Sequence, residues 1–380
     1  MMPGDCAADD IFDEIHALAV GGVPVSLERR CSALLEDARS VIAAACCYAR
    51  RPTVRHRPER NGECGALGVI APYTRANFYR VLGSRLKRLV RRLGVRDRSR
   101  ISVNGRNLPE RVLAASAGLG GLGGNGLLVV APYGSLVVIG IVLTTLPPAV
   151  LAELIDRTLP PGIPLRRPET ALEPPAVPLA DPGASVANGK PAPRWSPHCG
   201  ACRACISACP TGALDELGRV DEARCIQALS AVDRVVEDEI MRAWGPRLYG
   251  CSACQDACPI NAKVPPVGET PSKGRVPPEI ELAGLLAMSE AEYRKRFAAN
   301  QVAARWVPFR AVKRNALIAM GHSNLSRSDV NILASFAHSE DDVLSHTARW
   351  ALRRAGKNEG EKRAVAETAR DEGGGNGPPR

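Results

Sequence analysis

Cys199-Gly200-Ala201-Cys202-Arg203-Ala204-Cys205-Ile206-Ser207-Ala208-Cys209-Pro210 decides how the rest of this 380-residue chain is read. Cys-x2-Cys-x2-Cys-x3-Cys-Pro is the spacing in which three thiolates hold one [4Fe–4S] cube and the fourth reaches across to a second. Downstream, Cys251-Ser252-Ala253-Cys254-Gln255-Asp256-Ala257-Cys258-Pro259 repeats the last three ligands of that run. Leu248 stands where its first ligand would be, and Cys225 can supply the missing thiolate. The count then closes at two clusters of four. One takes Cys199, Cys202, Cys205 and Cys258; the other takes Cys209, Cys225, Cys251 and Cys254. Soft thiolates stabilise iron–sulfide, and tight turns let several sulfurs converge on one cube. Pro210 and Pro259 close each loop without a backbone donor to satisfy. The competing reading is a pair of zinc knuckles, although zinc has no use for a triple Cys-x2-Cys-x2-Cys run.

Working outward, prolines recur every few residues between Pro160 and Pro197, a composition that stays extended, so residues 159–197 are expected to be a linker or long surface excursion. Before it, in a domain expected over residues 1–158, the chain from residue 27 to about 150 alternates helical and strand-like patterns. Leu27–Leu35 is amphipathic, Ser40–Ala45 is a small apolar strand and Phe78–Leu93 carries apolar residues at helical spacing. That alternation predicts an α/β layer domain. Gly126 to Leu146 is apolar enough to suggest a membrane span, but Pro132-Tyr133-Gly134-Ser135 interrupts it, and two strands, Leu127–Ala131 and Leu136–Thr144, account for it better.

After the cysteine block, a ferredoxin-like double-cluster domain over 198–264, the pattern becomes helical from Leu282. Ala311–Met320, Val330–Ala337 and Val343–Arg354 are short successive helices that suggest a HEAT-like repeat within residues 265–356. Residues 357–380 are charged, then glycine-rich, and are expected to be disordered. The fold class read from the whole is α+β multidomain.

Thirteen cysteines behind an acidic N-terminus with no basic or apolar leader argue for metal or redox use in a reducing cytoplasm rather than for disulfides. Cys6, Cys31, Cys46, Cys47 and Cys64 show no ligand spacing and read as ordinary thiols. The glycines from Gly118 to Gly126 are followed by no Lys-Ser/Thr, so they read as tight turns rather than a phosphate loop. An excess of ten positive charges points to an anionic partner, nucleic acid first. The densest basic stretch runs Arg75, Arg80, Arg85, Lys87, Arg88, Arg91, Arg92, Arg96, Arg98, Arg100, opposite an apolar side of Leu82, Leu86, Leu89 and Leu93. Lys313 and Arg314 add charge further on, and such a surface could hold RNA phosphates.

The two cysteine runs, with Tyr249-Gly250 before the second, resemble those of the epoxyqueuosine reductases, iron–sulfur and cobalamin enzymes of queuosine synthesis on tRNA. Ala38-Arg39-Ser40-Val41-Ile42, Ala117-Gly118-Leu119-Gly120, Asn125-Gly126-Leu127-Leu128 and Tyr133-Gly134-Ser135 are similar to that family's N-terminal domain. Arg314-Asn315-Ala316 and Ala348-Arg349-Trp350-Ala351-Leu352 are similar to its helical domain. The resemblance implies a base-off cobalamin bound between the N-terminal domain and the clusters, with Gly123 and Asn125 among its contacts. It also implies electrons arriving from an external donor such as a flavodoxin or ferredoxin system, tRNA as partner and no membrane association. No Asp-x-His-x-x-Gly surrounds any of the six histidines, which agrees with a base-off mode.

The family's general acid is an aspartate in a Val-Asp-Ser/Thr-Gly-Pro stretch, and here the matching residues are Val103-Asn104-Gly105-Arg106-Asn107. An amide cannot deliver a proton as a carboxylic acid does. Two further departures flank it: Asn77-Phe78-Tyr79 for the family's Asp-Tyr-His, and Gly121-Leu122-Gly123-Gly124-Asn125 for its Trp-Ile-Gly-Lys-Asn. The resemblance therefore implies an epoxyqueuosine reductase-like oxidoreductase with changed acid chemistry. The alternative is a non-catalytic electron carrier or corrinoid-protein activator that has kept the clusters.

Overall fold

The computed structural model describes residues 14–50, 65–105, 107–159, 165–166 and 199–356. Most of the proline-rich segment, the tail from 357, Cys6 and Cys64 lie outside the described residues. The chain divides into two compact units. One comprises Met1–Arg55, Pro72–Asp221 and Ser252–Arg275; the other comprises His56–Ala71, Glu222–Cys251 and Val276–Arg380.

The first unit is built on the strand Ser40–Cys47, whose eight residues are all buried. Strand side chains alternate between faces, so Ile42, Ala44 and Cys46 enter one apolar cluster while Val41, Ala43 and Ala45 enter another. Leu82, Leu86 and Leu89 of the helix Phe78–Arg92, with Leu151 and Ile155 of the helix Pro148–Thr158, cover the first face. Cys31 of the helix Glu28–Ser32 and Leu113 and Ala114 of the helix Glu110–Ser116 cover the second. Gly140 lets the long helix approach, because a Cβ there would lie 2.7 Å from Leu86 Cδ1 and 3.2 Å from Leu82 Cδ2.

The strand order is Ser99–Ser102, Val137–Thr144, Ser40–Cys47, Ala17–Gly22, Leu165–Arg166. Every pairing is antiparallel except the short parallel one between Leu18 and Leu165. This corrects the α/β expectation for this region: an unbroken apolar strand reports burial on both faces but not chain direction. The strand expected over Leu127–Ala131 contracts to Leu128–Val129 and pairs with Gly121–Leu122 rather than with its successor, since Pro132 has no N–H to extend a ladder. The expected helix Leu27–Leu35 contracts to Glu28–Ser32 behind a 3-10 turn. No helix among the described residues is long and apolar enough to cross a membrane.

The second unit is helical with a small sheet ordered Glu279–Glu281, Leu67–Ile70, Arg247–Tyr249. Leu67–Ile70, far upstream in sequence, thus belongs with the later residues. Phe309–Met320, Arg327–Ala337 and a helix at 342–356 follow one another, all three close to the expected spans. Ser289 with Glu292 and Ser326 with Asp329 form capping boxes that satisfy the first free N–H groups of their helices. Their shared core is mainly aliphatic and includes Tyr293 stacked on Phe309 at 4.5 Å between ring centroids.

Candidate iron–sulfur centre

In the first unit the two cysteine runs fold alike. Each places a four-residue helix around the middle cysteine of its Cys-x2-Cys-x3-Cys stretch, Ala204–Ser207 around Cys205 and Ala253–Asp256 around Cys254, and the two helices pack together. That packing lets Cys258 of the second run act electrostatically on Cys199 and Cys205 of the first. Burial is the main cause that lifts the Cys199 thiol above its ordinary pKa; a hydrogen bond from the Gly124 N–H opposes it, and Cys258 and Cys202 raise it further. Cys205 is likewise raised, by burial first and then by Cys199, with its own and the Ile206 N–H lowering it and Cys258 raising it. Thiols that feel one another's charge, with backbone N–H groups aimed at two of them, are the kind of donor set an iron–sulfur cube uses, the N–H groups tuning its potential.

A buried polar network ties the second run to the sheet. Gln255 Nε2 donates to Tyr48 Oη at 2.5 Å and to the Ser135 carbonyl at 2.7 Å. Asn261 accepts from the Ser135 N–H at 2.8 Å and donates to Ser135 Oγ at 3.0 Å and to the Gln255 carbonyl at 2.9 Å. Gly134 has a φ of 56°, and a Cβ there would come within 2.2 Å of Asn261 Oδ1, so only glycine serves the turn. Burial pushes the Tyr48 phenol well up, and it remains a neutral partner in this network.

The other four predicted ligands divide between the units. Cys209 and Cys254 fall in the first, where Cys209 Sγ accepts the Ala213 N–H at 3.2 Å; Cys225 and Cys251 fall in the second. Cys225 begins the helix Ile226–Leu229, and Cys251 follows Gly250, whose φ is 76°.

Asn104 is exposed and sits in the left-handed region at φ 59°, a conformation asparagine tolerates better than most residues. Its N–H and that of Gly105 donate to the buried carboxylate of Glu110 at 2.9 and 2.8 Å, and Ser102 Oγ adds a 2.6 Å bond. Sequence reasoning passed over Glu110, a carboxylate six residues from the matched position. Tyr79 is pushed up to about 12 by burial first and by Glu110 second. Asn77 is the N-cap of the helix Phe78–Arg92, its Oδ1 accepting the Arg80 N–H at 3.1 Å, which gives the departure at this position a structural use. Asn125 spends its amide on the Leu127 N–H and on Ser135 Oγ, and Gly123 packs against Val129 and Asn125 where a Cβ would crowd both.

The basic stretch is largely solvent-facing, with Arg80, Lys87, Arg88, Arg91, Arg92, Arg96, Arg98 and Arg100 all exposed. Arg314 is different and corrects the expectation of a surface cation: it is 0 % exposed. Its burial has a local cause, since backbone carbonyls and Asn315 satisfy its guanidinium.

Among the described residues, Glu14, His16 and Cys46 also place ligand-type atoms within 4.8 Å of one another. Arg50 already neutralises the Glu14 carboxylate at 2.5 Å, and burial holds the Cys46 thiol well above its ordinary range. A divalent ion there would have to displace the guanidinium, so the group is read as a buried ion pair.

Comparison with known proteins agrees with this geometry. A family model described as a 4Fe-4S double cluster binding domain matches residues 198–261. The epoxyqueuosine reductase of Bacillus subtilis (strain 168) is 27% identical over 343 residues, covering 85% of this chain and 73% of the relative. An uncharacterized protein in the gldA 3' region of Geobacillus stearothermophilus is 34% identical over 168 residues, 42% of this chain and 73% of the relative. A crystal structure of epoxyqueuosine reductase with an epoxyqueuosine-modified tRNA-Tyr stem loop superposes with a TM-score of 0.67 at 23% identity, covering 92% of this chain and 88% of that one. A Bacillus subtilis epoxyqueuosine reductase with its catalytic aspartate loop swung out of the active site gives the same score at 24% identity, covering 92% and 88%. The structural likeness concerns the fold, while the sequence relatives and the double-cluster match make the chain similar to the epoxyqueuosine reductases, a family of oxidoreductases.

Proposed function

We propose that this chain is an epoxyqueuosine reductase-like oxidoreductase that carries two [4Fe–4S] clusters and acts on epoxyqueuosine in tRNA or a related reducible substrate. The observation that carries the reading is the packing of the helices Ala204–Ser207 and Ala253–Asp256 of the two cysteine runs within one unit, over the stretch that matches a 4Fe-4S double cluster binding domain. These four would hold one cluster, and Cys209, Cys225, Cys251 and Cys254 are the ligands proposed for the second. When bound, the clusters supply single electrons. The protein around them places sulfurs, aims N–H groups at them and limits water. An external flavodoxin- or ferredoxin-type donor would refill them, in a cytoplasmic setting. The exposed basic helix Phe78–Arg92 supports a tRNA partner through phosphate contacts. The helical end of the chain would be HEAT-like.

Cobalamin enters the proposal by resemblance alone. The described side chains near the glycine turn offer cobalt no ligand: Gly123 has none, and Asn125 is engaged within the fold.

Position 104 favours a second reading. If the acid has been lost, the chain is an electron carrier or corrinoid-protein activator. One experiment separates the two. Protein purified without oxygen is assayed for deoxygenation of epoxyqueuosine-containing tRNA, as it stands and as Asn104→Asp, with excess cobalamin and a strong reductant. A positioned general acid contributes about a hundred- to ten-thousand-fold. Weak activity that rises by about that factor in the variant supports the reductase. The Glu110 carboxylate beside the loop helps, because a like charge favours the protonated form of an introduced acid. Full activity without the carboxyl group refutes the role given to position 104, and no activity in either protein supports the carrier.

A further inference from the structure

Arg314 and Asn315 are adjacent residues of the helix Phe309–Met320, both 0 % exposed. Arg314 makes five hydrogen bonds. Nη1 donates to the Val232 and Arg234 carbonyls at 2.8 Å each, Nη2 to the Leu229 carbonyl at 2.7 Å and to Asn315 Oδ1 at 2.7 Å, and Nε to the same Oδ1 at 3.2 Å. All of these partners are neutral. The guanidinium also lies 5.8 Å from the Trp244 ring centroid. Asp233 is near enough to favour the charge, but its carboxylate is bound to Arg310 at 2.7 Å. A cation is thus held in a low-dielectric interior by carbonyl dipoles, with no carboxylate hydrogen-bonded to it.

What these residues hold is informative. Leu229 ends the helix Ile226–Leu229, which Cys225 begins; at 1.5 Å rise per residue the two ends are about 6 Å apart. Asn315 Nδ2 donates to the Ser230 carbonyl at 2.9 Å and to the Leu248 carbonyl at 3.0 Å. Ser230 Oγ accepts the N–H of Gly250, the residue before Cys251, at 3.1 Å. One pair of side chains therefore fastens the segment after Cys225 and the segment before Cys251, which are far apart in sequence and belong to the same unit. Cys251 itself packs against the core that contains Leu229 and Leu248.

We propose that Arg314 and Asn315 are positioning residues for Cys225 and Cys251, and that the fixed charge of Arg314 raises the reduction potential of the cluster these cysteines hold. The inference rests on the two-cluster reading above. Four thiolates leave a [4Fe–4S] centre anionic, and reduction adds one more negative charge, so a buried cation nearby stabilises the reduced form. Net charge and hydrogen bonding near the sulfurs are among the factors that set such potentials.

The test is an EPR-monitored redox titration of anaerobic full-length protein, with iron determined on the same samples. Cys225→Ala identifies which signal belongs to the cluster in question. Asn315→Asp places an anion against Arg314 at nearly constant volume, and Arg314→Gln removes the charge; Arg314→Lys keeps the charge and loses the fork. The expected result is a midpoint shifted to more negative potential for the Cys225-dependent signal alone in Asn315→Asp, and in Arg314→Gln where it folds. Arg314→Lys should stay near the parent potential while losing iron from that site more readily. Unchanged potentials in an Asn315→Asp protein that carries both clusters, or equal shifts in both signals, overturn the inference and leave the cluster reading intact. A parent protein with one cluster, or with zinc, overturns both.

Discussion

The two units hold their cysteines by opposite means. In the first, Cys254 and Cys258 are anchored by neutral groups: Gln255 and Asn261 amides, the Tyr48 and Ser135 hydroxyls and backbone. In the second, the segments that carry Cys225 and Cys251 are anchored by a buried guanidinium and its neighbouring amide. A neutral network can be satisfied at little electrostatic cost, whereas a buried charge must be fully hydrogen-bonded and places its field on whatever lies nearby. The difference teaches that cysteines in similar sequence settings can be held by surroundings of unlike charge.

The largest expected effect tests whether the two sets are separate at all. Cys258→Ala and Cys225→Ala should each remove about half of the roughly eight irons per chain expected of two [4Fe–4S] clusters, and each should leave a different EPR signal behind. Loss of all iron in both variants would show one interdependent centre and would break the comparison.

Stability measurements sharpen it next. Arg314→Met strands the carbonyls of Val232 and Arg234 and leaves that of Leu229 only its 3.3 Å bond from the Val232 N–H; each buried unsatisfied group costs about 1–3 kcal/mol, so a loss of about 2 kcal/mol or more is expected. Asn261→Leu strands the Ser135 N–H but leaves the Gln255 carbonyl its bond from the Cys258 N–H at 3.2 Å, and about 1 kcal/mol is expected. Denaturant midpoints of the two proteins, taken with their slopes, give the order. The reverse order would mean that the charged anchor relaxes around its loss.

The smallest effect is on pH dependence. Burial lowers the pKa of His16 in the first unit and of His322 in the second; Arg50 acts next on His16, and the Met241 carbonyl partly opposes the shift of His322. A folded pKa below the unfolded value means that the unfolded chain takes up a proton the folded chain refuses. Stability is therefore full above about pH 6.5, the ordinary histidine value, and is lost as pH falls through it. His322→Gln should flatten the acid-side loss in amide-exchange protection of the helix Phe309–Met320 while leaving the sheet around Ser40–Cys47 unchanged. Equal flattening in both regions would show that the units do not respond independently.

Much of this was legible before any coordinates. The Cys-x2-Cys turns are local, and their spacing alone sets which sulfurs can share a cube. The helices from Phe309 onward follow from their apolar period, and the first residues of Ser40–Cys47 follow from composition. Other features were not readable. The apolar run of Ser40–Cys47 says that both faces are covered, but antiparallel and parallel neighbours bury the same residues. Glu110 carries no mark in sequence of the loop it holds, because its partners are mainly backbone N–H groups.

By itself the sequence determined the chemistry of the donor set and the family to which the chain is similar, since these depend on residue identity and short spacing. Only the tertiary structure decided that Leu67–Ile70 joins the later unit, that Asn77 caps a helix and that Arg314 lies inside rather than on the surface. Strand pairing and the burial of a cation depend on backbone groups brought together from distant segments. A carbonyl has the same sequence signature wherever it ends up.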